Sequence, residues 1–467
     1  MLKTIVRRSQ HAVGHGGFHT GSINIREMPR TADTEPSERP LASFNYVYDC
    51  GSEQNTAFSG ELASYRSVSS GRTDILFVSH LHSDHISGID RLQAMAPATT
   101  VVVPYLDLCD RLILVLSDLG AGAVSSSALE YFGDPVGWWQ RRGARQIVFL
   151  EPGSGDDEPP GRPVVPDGPV DGGEGRDEAD TAPWREGKEP GARLASHLRK
   201  PRRPAPDGLE PADPRRRSVK DGAVLAGAGS AFHLEWRADV GANWQVGDWI
   251  LLPYVHPVNE AIRNRFRAAL KKKLKLRGND EARLSKALTA HLTSFEKTRD
   301  LVDLYSMYFG KSHNALSMSL YSGPLSTHDR SLDDGLAWDR RWHGCYGDEL
   351  WFGQYHDYGD SIGWLGTGDA ALAQSKWREP WLNFFAPFAT EIGVMTLPHH
   401  GSAHNFHEDI LIFDRLKLAL APTVERRNRV ARMRETLGVV EARGITTRVV
   451  DDEHRNAYSL FCRRIMG

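Results

Sequence analysis

Residues 80–85 read His-Leu-His-Ser-Asp-His, three imidazoles and one carboxylate within six positions. These are donors that zinc, manganese and iron take from proteins, and the stretch offers no thiolate to shift that preference. Alternate side chains of an extended segment point the same way, so His80 and His82 can share one cation. A turn after them lets Asp84 and His85 face a second cation beside the first. The competing reading, a solvated polar cluster after a strand, leaves that spacing unexplained. The chemistry expected of two adjacent divalent cations, zinc or alternatively manganese, is hydrolysis.

Such a loop needs a rigid strand behind it, and Ile75–Ser79 (ILFVS) supplies the apolar run. Phe44–Tyr48, Thr99–Pro104 and Ile147–Leu150 predict three more buried strands, with a helix from about Asp107 to Leu119 before the last. Beyond the insertions, Ala231–Arg237 and Asp248–Tyr254 predict a hairpin around Val246-Gly247. Ala315–Tyr321, Ile362–Leu365, Val394–Leu397, Leu418–Leu420, Ile445–Val450 and Tyr458–Cys462 predict further strands. Helices are expected at about Trp377–Phe385, Glu408–Asp414 and Val424–Arg443. The alternation implies a layered α/β protein.

The motif resembles the HxHxDH signature of the metallo-β-lactamase-fold metallo-hydrolases, and its flanks are similar in the same order. Asp49, in Tyr48-Asp49-Cys50-Gly51, corresponds to the aspartate that orders the motif loop. Leu365-Gly366-Thr367-Gly368-Asp369 resembles the strand-end Gly-Asp whose carboxylate bridges two metals. Leu397-Pro398-His399-His400-Gly401-Ser402 looks like the PHHGS element of the ComEC-like branch, the hydrolase domain of a DNA-uptake competence protein. His313-Asn314-Ala315-Leu316-Ser317 is similar to that branch's Asn-x-x-Ser-Leu strand.

The resemblance implies a four-layer αββα sandwich with two mixed sheets, here carrying long insertions. It implies His80, His82, Asp84, His85 and Asp369 as metal ligands, with Asp84 orienting the attacking water. One of His399 and His400 completes the site as a ligand while the other meets the substrate's developing charge; the sequence does not say which. The last ligand is open between His454, which follows the Ile445–Val450 strand, and His313. A glycine-rich turn, Val13-Gly14-His15-Gly16-Gly17-Phe18-His19, often sits beside the site in this fold, though a plain hairpin turn is the simpler reading.

Within the superfamily, His85 speaks against a true β-lactamase, and His82 excludes the Glu-bearing pattern of flavin-linked di-iron reductases. Glyoxalase-type thioesterases share HxHxDH, but the HHGS element fits phosphodiesterases better. The expected activity is therefore a phosphodiesterase or nuclease. The alternatives are another ester hydrolase of the fold, or a partner-dependent component of a bacterial defence or DNA-processing complex.

The chain's 467 residues carry a net charge of −3, so no global basic field marks a nucleic-acid binder. A local one exists between Arg263 and Arg277, with Lys271, Lys272 and Lys273 at its centre, and could track a phosphate backbone. Aromatics at Trp338, Trp342, Tyr346, Trp351 and Tyr355 could stack bases or simply pack an insertion. The expected organisation is a first half-domain over 1–150, a disordered Pro/Gly/charged insertion over 151–221, a hairpin and basic helical insertion over 222–310, and a second half-domain over 311–467. The insertions could also dock protein partners. Four scattered cysteines and no apolar run long enough to span a bilayer point to the cytoplasm.

Overall fold

A computed structural model describes residues 2–27, 42–106, 110–112, 126–153, 193–198, 202–204, 223–226, 229–237, 249–256, 260–276, 281–292, 295–309, 317–324, 338–339, 363–424 and 427–466. The first part of the chain contributes β1 (Leu2–Gln10), β2 (His19–Glu27), β3 (Ala42–Tyr48), β4 (Thr73–Phe77), β5 (Ala98–Pro104) and β6 (Gln146–Leu150). The middle contributes β7 (Arg193–Leu198), β8 (Arg202–Pro204), β9 (Ala223–Ala226), β10 (Phe232–Arg237), β11 (Trp249–Val255), β12 (Met318–Pro324) and β13 (Trp338–Asp339). The last part contributes β14 (Gly363–Gly366), β15 (Ile392–Thr396), β16 (Leu418–Pro422), β17 (Thr446–Val450) and β18 (Tyr458–Met466).

These strands form two mixed sheets. The first runs β13-β18-β1-β2-β3-β4-β5-β6-β9-β8 and the second β17-β16-β15-β14-β12-β11-β10-β7. In the first, β3 to β6 and β9 are parallel; in the second, β14 to β17 are parallel. Side-chain alternation decides which residues fill each layer. Phe44, Tyr46, Phe77 and Val102 from the first sheet meet Leu251, Leu320, Trp364 and Val394 from the second. The opposite face of the first sheet, through Val47, Leu76 and Val101, packs with Phe58 and Leu62 of helix α1 (Asn55–Val68). The outer face of the second sheet carries Leu365 and Met395 against Trp381 and Phe385 in the segment Ser375–Phe385. Two sheets face to face with helices outside them make four layers.

Hydrogen bonds join the sheets as well as apolar contact. Tyr46 Oη donates to Ser322 Oγ at 2.9 Å and Tyr48 Oη to the Met318 carbonyl at 2.6 Å. The buried Arg8 donates to the Ser322 carbonyl at 3.0 Å.

The structure departs from the sequence expectation in several elements. Strands β1 and β2 lack a continuous apolar run; the signal was the alternation Ser22-Ile23-Asn24-Ile25, a strand read by period rather than by run. Strands β7 and β8 fall inside the 151–221 segment whose composition predicts disorder, and backbone pairing on β10 and β9 orders them. Glu408–Leu411 is a single 3₁₀ turn, not a helix reaching Asp414. The basic helical region divides into Glu260–Lys273, Glu281–Leu292 and Phe295–Phe309. Of the helix expected from Asp107, residues 110–112 are helical. His313, the Val246-Gly247 turn, Arg277 and the aromatics at 342–355 lie outside the described residues.

Trp364 is 2% exposed between the sheets, and its Nε1 donates to Thr396 Oγ1 at 3.2 Å. Truncating it removes a large buried ring and leaves a cavity. Trp364→Ala is expected to cost about 3–5 kcal/mol in chemical denaturation; a loss below about 1 kcal/mol would show that the inter-sheet core does not depend on it.

Candidate metal centre

The chemistry-bearing residues gather where parallel strands end, the usual place for a site in an open α/β sheet. Asp49 follows β3, the motif follows β4, Asp369 follows β14, His399 and His400 follow β15, and Thr423 follows β16. The turn between β1 and β2 comes to the same end, because Gln10 pairs with His19 and His19 with Tyr48. That register carries His15 to the site.

Asp49 organises the first set of ligands. Its Oδ1 accepts from the Ser79 backbone N–H at 2.6 Å, and its Oδ2 from Ser79 Oγ at 2.7 Å and His85 Nδ1 at 2.8 Å. With its hydroxyl proton committed to Asp49, Ser79 Oγ accepts from His80 Nδ1 at 2.9 Å. His400 Nδ1 donates to the Pro422 carbonyl at 2.9 Å. Each ring has thus spent its Nδ1–H on a fixed acceptor, which turns the Nε2 lone pair of His80, His85 and His400 into the site. Buried His80 Nε2 has no hydrogen-bond partner among the described residues.

Around that point the donor atoms are spaced as a cation needs. His85 Nε2 lies 3.6 Å from Asp84 Oδ2 and 3.3 Å from Asp369 Oδ1. His400 Nε2 lies 3.3 Å from Asp84 Oδ2, 3.6 Å from Asp369 Oδ1 and 3.3 Å from His85 Nε2. Ligands held tetrahedrally at 2.0–2.2 Å stand about 3.3–3.6 Å from one another. Two imidazole lone pairs facing each other at 3.3 Å repel unless a positive centre lies between them. The donor set therefore fits a divalent metal. A second group, His80, His82 and Asp369, has its ligand atoms within 4.8 Å of one another. His80 Nε2 and His399 Nε2 each stand 3.5 Å from Asp369 Oδ2.

Charge accounts for the rest. Burial alone would raise the Asp369 carboxyl, but His399, His80, His85 and His400 outweigh it and hold it well below the ordinary carboxylate range. Asp84 is likewise pulled down against its burial by His85 and His400. Burial opposes charge on His85, yet Asp49, Asp84 and Asp369 raise its proton affinity well above that of an ordinary histidine. Burial instead lowers His80 well below the usual value, so that ring stays neutral. A proton on His85 and a divalent cation compete for the same nitrogen.

Backbone conformation is specialised at both ends of the site. His399 and His400 are consecutive left-handed residues, with φ of 48° and 57°. The His399 N–H donates to the Gly368 carbonyl at 2.9 Å, which helps hold the pair in this conformation. Gly17 is required for close approach, since a Cβ there would lie 2.6 Å from Asp49 Cβ and 2.7 Å from His85 Nδ1.

The structure thus brings His80, His82, Asp84, His85, Asp369 and His400 together, with His399 at the rim, 36% exposed. It does not bring His454 there: His454 Nδ1 lies 2.5 Å from Glu61 Oε1, and His11 occupies the other oxygen of that carboxylate. His15 comes in its place. Its Nε2 is 3.7 Å from Asp84 Oδ2, its ring lies 4.1 Å from that of His400, and its Nδ1 meets Thr423 Oγ1 at 3.1 Å. The glycine-rich turn around His15 was the sequence signal for it, and the plain-turn reading gives way. Ser317, just before β12, had none beyond its place in the Asn314-Ala315-Leu316-Ser317 sequence: its Oγ accepts from the Asp369 N–H at 2.9 Å.

Because Asp49 aims two rings, Asp49→Ala is expected to lower divalent-cation affinity about 10- to 100-fold. Competition with a chromophoric chelator would measure it, with circular dichroism unchanged. Equal affinity in both proteins would remove Asp49 from this role.

The sequence model of the metallo-beta-lactamase superfamily matches residues 42–108, the stretch that holds Asp49, β4 and the His80–His85 loop. No curated protein matches the chain. Two stacked mixed sheets between helices make the fold a metallo-β-lactamase sandwich, and its His/Asp groups support a metal-dependent hydrolase.

Proposed function

We propose that the protein is a phosphodiesterase, acting on nucleic acid or a nucleotide, with two divalent cations, zinc or manganese, at the centre described above. The observation that carries this is the division of Asp369: Oδ1 faces His85 and His400, while Oδ2 faces His80 and His399. A carboxylate whose two oxygens address two donor sets suits a pair of adjacent cations. The chemistry such a pair supplies when bound is an acidified water and positive charge opposite a developing oxyanion.

The chain's own residues do the remainder. His80, His82 and Asp369 hold one position; Asp84, His85, Asp369 and His400 hold the other. Asp84, the most accessible carboxylate of the set at 16% side-chain exposure, orients the nucleophile. His399, at the rim with its side chain 36% exposed, donates to a non-bridging or leaving oxygen of the substrate. The Pro-His-His-Gly-Ser element supports the competence-protein-like branch over a thioesterase. Lys271 and Lys272, in the last turn of the helix Glu260–Lys273, are the proposed contact for a longer nucleic-acid chain.

The test is hydrolysis of bis-p-nitrophenyl phosphate by the zinc- or manganese-loaded protein. Asp84→Ala and Asp369→Ala are each expected to reduce kcat/KM by at least about 10²-fold. His454→Ala, which removes an exposed ring bound to Glu61, is expected to stay within about twofold. No turnover by the loaded wild-type chain would end the phosphodiesterase reading.

A further inference from the structure

Beside the metal centre lies an open pocket of about 190 Å³ lined by His15, His399, Ser402, Thr423 and Arg432, with Met433 and His400 completing its wall. None of its lining residues is acidic. Several arginines elsewhere in the structure are spent on carboxylates: Arg142 on Asp90, Arg263 on Asp110, Arg378 on Asp409, Arg443 on Glu408. Arg432 has no carboxylate partner among the described residues; its Nη1 donates to His404 Nε2, which steadies the guanidinium at the pocket. The Ser402 hydroxyl makes no hydrogen bond among the described residues, though its backbone N–H is fixed on the His399 carbonyl at 3.0 Å.

A guanidinium held by His404 beside a free hydroxyl, in a pocket whose lining includes no carboxylate, recognises an anion with several acceptor oxygens. Size narrows the class. Drug-sized ligands occupy about 300–1,000 Å³, so this pocket takes one charged group and a few waters but not a nucleoside as well. Its position narrows it further, because His15, His399 and His400 belong both to its wall and to the centre. An anion seated on Arg432 therefore belongs to the same molecule as the scissile group.

We propose that this pocket is a docking site for a terminal phosphomonoester, so that the enzyme prefers phosphodiesters whose neighbouring nucleotide ends in a phosphate. The proposal rests on the phosphodiesterase reading for its substrate, and on the pocket alone for its ligand. It places Arg432 and Ser402 as specificity residues and has them take no part in bond cleavage.

Two measurements on the full-length, cation-loaded protein test it. In steady-state hydrolysis of the dinucleotide TpT and its 5′- and 3′-phosphorylated forms, one phosphorylated form is expected to show a KM about tenfold or more below that of TpT. Arg432→Gln is expected to collapse that ratio to within about twofold, and Arg432→Lys to keep part of it, since a point charge replaces a bidentate fork. In calorimetry with inorganic phosphate, Arg432→Gln and Ser402→Ala are expected to weaken binding, the former by about tenfold. Equal KM values for all three dinucleotides in the wild type, or a ratio that survives in Arg432→Gln, would overturn the proposal. If neither the dinucleotides nor bis-p-nitrophenyl phosphate is hydrolysed, the phosphodiesterase reading falls. Phosphate binding then decides the pocket alone: sensitivity to Arg432→Gln supports it, and insensitivity overturns it.

Discussion

The Asp49 carboxylate is the constraint on which the centre depends. It is 1% exposed, sits at φ 60°, and accepts three hydrogen bonds of 2.6–2.8 Å. Through Ser79 it aims His80, and directly it aims His85. The same Ser79 offers its carbonyl to the Met318 N–H at 2.8 Å, which ties the motif loop to the second sheet. Neighbouring backbone bonds run Gly17 to Asp84, Gly51 to Gly17, and Cys50 to His85. Three chain segments are therefore stitched together by main-chain groups, whose positions do not change with rotamer. Ligand direction is set by the fold itself rather than by flexible side chains, as a preorganised metal site requires.

Such a cluster is costly without positive charge. Asp49, Asp84 and Asp369 converge on His85, and two of the three are almost fully buried. Buried carboxylates persist when paired or when they coordinate a metal. Either a proton on His85 or a divalent cation in its place can meet that demand, and the neighbouring lone pairs of His80 and His400 suit the cation. Cation binding should accordingly add to the stability of the folded state, because the unfolded chain scatters the donors.

Much of this was legible in the residues. The HLHSDH spacing, the aspartates after β3 and β14, and the paired histidines after β15 each stood at a strand end, where an apolar run predicts the strand and the polar break predicts the loop. What stayed open or hidden depended on register, even for His15, which the glycine-rich turn had marked. His15 reaches the centre because β1 and β2 pair from Gln10 with His19, and neither strand has the continuous apolar run that marks β4 or β5. His454 looked like a late ligand because it follows a strand at the correct end. Glu61 on α1 captures it, and nothing local to position 454 announces a carboxylate 393 residues away. Ser317 and Arg432 are invisible for the same reason: their partners are set by packing of the second sheet, not by spacing.

Apart from His15, the donors come from two stretches, 80–85 and 369–400, with the long middle of the chain between them. A long excursion costs little, since closure entropy grows only with the logarithm of loop length. What must be kept is the distance between the sheets, and that is fixed by Tyr46, Phe77, Leu320 and Trp364 in a core to which β10 and β11 also contribute Phe232, Leu234, Trp249 and Leu251. The helices 260–309 instead form a cluster of their own, in which Phe266, Leu270 and Leu288 pack with Leu112 and Phe132, and Arg263 pairs with Asp110 at 2.9 Å. These helices are thus anchored through a cluster distinct from the inter-sheet core. The basic turn at Lys271–Lys273 lies on these helices, outside the donor set. The pocket at Arg432 differs in this respect, because it shares His15 and His400 with the centre and cannot drift independently of it.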